Sequence, residues 1–381
     1  MFHRPPVLHP PVLHSPVLGP SLLGEADLGP TDIRPSGPRP SALRLAALAV
    51  SAALAVALAG PALSQDDAAE VPFALDWKFE GPSAPYFLAI DEGHFAEAGM
   101  EVEIAAGQGS LDAIPKVATG AFPVGFADIN SLMKFLDQNP GAPVTAVMMV
   151  YDKPPFAVVG RVSRGVSGPA DLEGKVLGAP PPDGAWAQFP IFAAETGLDT
   201  EAITVEPVGF PTREPMLAQG EVDAVTGFSF SSFLNLSRLG VPEDDISVIL
   251  MADHGVELYG NAIIANTDWA AENPDLLRAF LAAVAEGWRG AIADPDAAIA
   301  ALVERNPAAD AELEKRRLEL AVEGNVMTEA VAANGFGTVD PERMARAIEQ
   351  TGLVYEWQGE PDASLYFDGS YLPEGGFELG G

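Results

Sequence analysis

The sequence predicts an α/β protein of two similar lobes, each a mostly parallel sheet flanked by helices. Three observations carry this. Short apolar runs alternate with helical patterns over residues 71–252, the signature of strands covered by helices. A proline pair, Pro154-Pro155, interrupts the alternation, which then restarts. Each half also contains a helix ending on glycine just before a strand, at Thr119-Gly120 and at Gln219-Gly220. Glycine accepts the left-handed conformation that closes a helix.

In the first half, strands are expected at 71–77, 101–105, 123–127 and 144–151, with helices at 84–98, 110–119 and 130–138. Ser110 and Asn130 are placed as N-caps. The second half repeats the scheme with strands at 175–179, 203–208, 223–228 and 246–252, and helices at 185–196, 213–219 and 230–239. Beyond Asn261-Ala262-Ile263-Ile264 the chain turns helical. Four helix starts pair a capping residue with proline: Asn273-Pro274, Asp294-Pro295, Asn306-Pro307 and Asp340-Pro341. In the first of these helices Leu277, Phe280, Leu281, Val284, Trp288 and Ile292 share one face, which assigns Trp288 to the core. The expected domains are residues 65–157 as the first part of lobe 1, 158–252 as lobe 2 and 253–357 as a helical return to lobe 1. The glycine-rich tail 358–381 has no placement.

The chain ahead of residue 65 reads differently. Residues 1–40 are proline-rich without periodicity and are expected to be a disordered extension. Residues 41–64 have the layout of a secretory signal: Arg39 and Arg44 near the start, an apolar run at 45–59, then small residues. Ala62 and Ser64 suit cleavage before Gln65. The chain has no cysteine, so disulfides, thiolate metal sites and a lipid-modified cysteine are excluded. The expected location is therefore a periplasm, without a lipid anchor. The 381 residues carry a formal charge of −33, which repels nucleic acid and anionic membrane.

In open α/β sheets ligands bind beyond the carboxyl ends of the strands. The residues there are aromatic on both sides, with Trp77 and Tyr151 in the first half and Trp186 and Phe228 in the second. Opposed aromatic faces suit a planar ring. Asp183 and Asp253 are the expected polar anchors, and Gln108, Ser110 and Asn130 the expected hydrogen-bonding partners. Basic residues are few. Asp128 either caps the next helix or reaches ligand. The turn at 107–110 offers backbone N–H groups that suit a carboxylate, sulfonate or phosphate. No HExxH, Walker-type or GxSxG motif appears. Neither catalytic residues nor a metal or cofactor are expected.

The stretch ALDWKFEGPSAPYFLAIDEGHFAEAGMEVEI resembles the start of the nitrate/sulfonate/taurine-type substrate-binding proteins of ABC importers. The branch it most resembles includes binders of thiamine pyrimidine precursors. Gly93-His94-Phe95-Ala96-Glu97-Ala98-Gly99, Gly109-Ser110, the glycine turn at 120–125, Asp171-Leu172-Glu173-Gly174-Lys175 and Gly220-Glu221-Val222-Asp223-Ala224 follow the family's order. The likeness spans residues 71–353. It implies a type II periplasmic binding protein, with crossings between lobes near 154–159 and 250–255 and ligand in the cleft. It also implies a permease and an ATPase as partners for a chain expected to act as a monomer. The ligand expected is a thiamine-precursor-like pyrimidine or other nitrogen heterocycle, with a sulfonate or aromatic carboxylate as the alternative. A fungal thiamine pyrimidine synthase shares the family. As the resemblance has it, that enzyme relies on a cysteine-rich motif and a histidine near the first strand. This chain has no cysteine and no histidine at 81–85.

Overall fold

The computed structural model describes residues 68–380. The proline-rich extension and the signal segment lie outside the described residues. Apart from a short parallel pair, Ala69–Glu70 with Met100–Glu101, the chain first lays down β1 (Phe73–Ala74), β2 (Ile104–Ala105), β3 (Val124–Asp128) and β4 (Val144–Met149). It crosses over and forms β5 (Phe156–Arg161), β6 (Val176–Ala179), β7 (Thr204–Pro207), β8 (Ala224–Phe228) and β9 (Ile246–Leu250). It then crosses back as β10 (Asn261–Asn266).

Two five-stranded sheets result, in the orders β2-β1-β3-β10-β4 and β9-β5-β8-β6-β7. Both are mixed. The apolar alternation predicts parallel pairs, and β1–β2, β1–β3, β6–β7 and β6–β8 supply them. The antiparallel pairs all come from the strand that has just crossed over. β10 runs against β3 and β4, and β5 runs against β8 and β9. A strand entering from the other sheet arrives with the opposite direction, and nothing in hydrophobic alternation records that.

The helices that face the strand ends are α1 (Ala84–Asp91), α2 (Ser110–Ala118), α3 (Ile129–Gln138), α4 (Gly184–Thr196), α5 (Arg213–Gln219) and α6 (Ser229–Arg238). The helix expected at 84–98 breaks at Gly93, whose φ of 80° ends α1 before a short turn of helix at His94–Glu97. The caps differ from expectation. Gly109, not Ser110, precedes α2. Asp128, not Asn130, caps α3, accepting from the backbone N–H groups of Asn130 and Ser131. A carboxylate there satisfies two of the helix's orphan donors.

The return region carries α7 (Pro274–Ala293), α8 (Pro295–Arg305), α9 (Ala311–Ala321) and α10 (Pro341–Gly352). Asn306-Pro307 opens no helix; α9 starts after Asp310, whose side chain caps it. Trp288 is fully buried, with Tyr86 edge-on at 6.0 Å. α7 presses against α1 so closely that a Cβ on Gly287 would stand 2.2 Å from the Pro85 carbonyl oxygen. Only glycine fits that approach without moving backbone. Gly287→Ala is therefore expected to destabilise the protein by about 1–3 kcal/mol, read as a lowered urea midpoint with an unchanged m-value.

Candidate ligand-binding cleft

A cleft of about 1160 Å³, counting its open mouth, lies between the carboxyl ends of the two sheets. The first sheet supplies Asp76 and Trp77 after β1, Asp128 at the end of β3 and Tyr151 after β4. It also supplies Asn261. That residue opens β10 and pairs with Asp128, so antiparallel pairing brings the start of one strand to the ligand edge. The second sheet supplies Asp183 after β6, Phe210 after β7 and Phe228 at the end of β8. Trp77 and Phe210 meet edge to face across the cleft, with centroids 4.8 Å apart at 74°.

The floor on the first side is polar and self-paired. Asp76 accepts at one oxygen, Oδ2, from Ser110 Oγ (2.9 Å) and Asn261 Nδ2 (2.7 Å). Its Oδ1 has no partner among the described residues. Ser110 Oγ also accepts from the Asp128 N–H (3.0 Å). Burial pushes the Asp76 carboxyl up to about 7, against the two hydrogen bonds that favour its ionised form. Burial likewise raises Asp128, against the donors of Ser131 and Asn130. Two sealed atoms beside Asp76 are unpaired, the Tyr86 hydroxyl and Asn261 Oδ1.

On the second side Asp183 caps α4 and accepts from Thr226 Oγ1 (2.8 Å). Arg213 and Glu214 form a buried ion pair, Arg213 donating from Nε (2.9 Å) and Nη2 (2.6 Å) to the same Glu214 oxygen. Among the cleft-lining residues, five are acidic (Asp76, Glu80, Asp128, Asp183, Glu214) and two basic (Lys78, Arg213). Acids thus outnumber bases, while burial pushes the carboxyls of Asp76, Glu80, Asp128 and Asp183 toward their neutral forms.

Of the nine residues singled out from the sequence, Trp77, Ser110, Tyr151, Asp183 and Phe228 line the cleft. The other four do not. Gln108 is exposed beside α2. Asn130 is wholly buried and works as a strut, donating to Asp128 Oδ1 and the Tyr259 carbonyl, both at 2.7 Å. Trp186 turns inward and stacks on Phe189 at 5.5 Å. Asp253 is exposed on the second crossing, paired with Lys153 at 2.7 Å. Of the donors expected at the 107–110 turn, only the Ser110 N–H has no partner among the described residues. The N–H groups of Gly107, Gln108 and Gly109 go to Trp77 O, Asp112 Oδ2 and Asp76 O.

Sequence reasoning passed over Glu80, Tyr86, Phe210, Arg213 and Glu214. Phe210 had a signal, since it follows β7 at a strand end. The others sit on or beside helices whose facing no strand-end rule reports. Among the described residues, no cluster of three or more His, Asp or Glu is arranged to hold a metal. Nor is any helix there long and apolar enough to cross a membrane.

This architecture is that of the periplasmic binding proteins. The aliphatic sulphonate binding protein SsuA of Escherichia coli superposes with a TM-score of 0.62 at 15% identity, over 78% of this chain and 99% of that one. The alkanesulfonate-binding protein of Xanthomonas axonopodis pv. citri gives 0.57 at 15%, over 76% and 96%. The chain belongs to the NMT1/THI5-like family, whose model matches residues 81–298. It is similar to a riboflavin-binding protein of Chloroflexus aurantiacus, 26% identical over 85% of this chain and 92% of that protein. A formylaminopyrimidine-binding protein of Halalkalibacterium halodurans is 27% identical over 78% and 89%. A 4-amino-5-hydroxymethyl-2-methylpyrimidine phosphate synthase of Aspergillus parasiticus is 24% identical over 62% and 71%.

The raised Asp76 carboxyl gives a pH dependence with a definite sign. Its value in the unfolded chain is near 3.8, against about 7 in the fold. The folded state thus holds the extra proton between those values, and this group's contribution is full below the lower one and lost as pH rises through the upper one. Asp76→Asn is expected to flatten the fall in melting temperature between pH 4 and pH 7, measured by circular dichroism; an unchanged slope would assign the dependence elsewhere.

Proposed function

We propose that this protein is the periplasmic solute-binding component of an ABC importer, capturing a planar nitrogen heterocycle without covalent chemistry. The observation that carries this is the buried Asp76 carboxyl, with one oxygen open, set beside aromatic rings from both sheets. Such a carboxyl suits a ring N–H or amino group, and charge-assisted bonds of this kind are the stronger ones. Trp77 and Phe228, with Tyr151 beneath, supply the apolar walls. The relatives that bind riboflavin and a formylaminopyrimidine have ligands of this class.

An anionic ligand fits poorly. The lining offers an anion only Lys78 and Arg213 as cations, Glu214 already holds Arg213, and the glycine turn spends three of its N–H groups inside the protein. The broader similarity lies with the binding proteins, which match 78–85% of this chain against 62% for the synthase. In this reading residues 68–157 and 253–357 form one jaw and 158–252 the other. The crossings at 150–156 and 251–260 bend as the jaws close. A permease and an ATPase receive the ligand, and the chain acts as a monomer.

A thermal-shift panel of aminopyrimidines, flavins, sulfonates, nitrate and aromatic acids tests the reading. Binding at 100 times the dissociation constant stabilises by about 2.7 kcal/mol, so heterocycles should raise the melting temperature and simple anions should not. A response to anions alone would sink the proposal. Trp77→Ala should abolish the ligand-dependent shift while leaving the unliganded protein folded. Retained affinity would remove Trp77 from the site.

A further inference from the structure

The second wall of the cleft holds a buried cation with a donor to spare. Arg213 is 5% exposed and lines the cleft. Its Nε and Nη2 are both committed to Glu214, but its Nη1 makes no hydrogen bond among the described residues. The nearest acid to Nη1 is Asp183, at 3.9 Å, too far for a hydrogen bond. Nη1 is not among the sealed unpaired atoms, whereas Arg317 Nε is. It therefore opens onto the cleft.

The arrangement is built. Ser232 Oγ donates to the Glu214 oxygen that Arg213 grips (3.0 Å), and the Phe210 ring lies 5.6 Å from the guanidinium. A Cβ on Gly227 would come within 2.4 Å of Ser232 Oγ and 3.0 Å of the guanidinium, so β8 carries glycine where the cluster rests on it. Leaving a charged donor of this kind unpaired in a low-dielectric site is costly, and a ligand acceptor would offset that cost.

We propose that Arg213 is a specificity-determining residue that donates through Nη1 to a neutral carbonyl oxygen on the bound heterocycle. The charge around it sets the word neutral. Glu214 cancels the guanidinium and the Asp183 carboxyl stands 3.9 Å from Nη1, so a carboxylate or sulfonate at this point would meet no net positive charge. A cationic group would meet the guanidinium itself. An amide, imide or urea oxygen takes the directional donor and brings no charge. Together with Asp76 on the opposite wall, the cleft then reads a ligand with N–H at one side and C=O at the other. This rests on the heterocycle reading above and narrows it.

Three pyrimidine probes separate the two. They are 4-amino-2,5-dimethylpyrimidine, its counterpart with a formylaminomethyl group at position 5, and its counterpart with a carboxymethyl group there. Titration calorimetry on the wild-type protein should rank the formyl compound about tenfold or more tighter than the dimethyl compound, and the carboxylate weakest. In Arg213→Met/Glu214→Gln, which removes the donor without stranding a buried acid, the formyl advantage should fall to about twofold or less. The readout is the ratio of the formyl to the dimethyl compound within each protein, whatever the variant does to the absolute affinity of both. A circular dichroism melt confirms the fold of the variant, and if it does not fold the wild-type ranking decides alone. Equal binding of formyl and dimethyl compounds, or a preference for the carboxylate, overturns the role of Arg213 and leaves the heterocycle reading standing. Binding of none of the three overturns both.

Discussion

The cleft depends on a set of polar side chains that satisfy one another at a single sheet edge. Asp76, Ser110, Asp128, Asn130 and Asn261 come from four separate stretches of chain, yet each is fixed by another member. Removing any one would leave a buried donor or acceptor unpaired, at about 1–3 kcal/mol. Because Asn261 begins the strand that has just returned from the second sheet, the same network ties the crossing to the strand ends. The site and the connection between the two halves are thus held by common bonds. The ligand edge cannot loosen without also loosening the return of the chain.

That economy leaves a few polar atoms over. Asp76 Oδ1, the Tyr86 hydroxyl, Asn261 Oδ1 and Arg213 Nη1 have no hydrogen-bond partner among the described residues. Native interiors leave few such atoms. Asn130 Oδ1, both amide atoms of Gln188, Trp288 Nε1 and Arg317 Nε are unpaired as well, on residues that do not line the cleft; the four above stand on its opposite walls, where a ligand would complete them.

The sequence shows some of this and hides the rest for physical reasons. Strand ends are legible, because an apolar run announces its own end. Trp77, Ser110, Tyr151, Asp183 and Phe228, read from strand ends, line the cleft. Facing is less legible. Trp186 lies in the first turn of α4, where its ring stacks on Phe189 against the core of the second sheet, and no periodicity over three residues reports that. Asp253 follows a strand and yet points to solvent on the outside of a crossing. Direction of pairing is hidden as well: β5 and β10 read as apolar strands whichever way they run. Arg213 and Glu214 lie in the first turn of α5, where adjacent positions in sequence suggest different faces. Only their grip on each other brings both to the cleft.

The two crossings are not free ribbons, and this bears on how the cleft works. Arg343 of α10 donates to the Asp152 carboxylate (2.9 Å) and carbonyl (2.6 Å) on the first crossing, and to the Leu258 carbonyl (2.7 Å) on the second. Its guanidinium lies 3.9 Å from the centre of the Tyr259 ring. Asn325 donates to the Lys153 carbonyl (2.8 Å), and Gln350 to that of Gly255 (2.7 Å). The return region therefore splints both crossings together. Gly260 completes the join: its N–H donates to the Tyr151 carbonyl (2.9 Å) and its carbonyl accepts from the Ile129 N–H (3.1 Å). A Cβ there would stand 2.8 Å from that of Tyr151, so glycine is what lets the second crossing lie against the first. The crossings are therefore held to each other as well as to the return region.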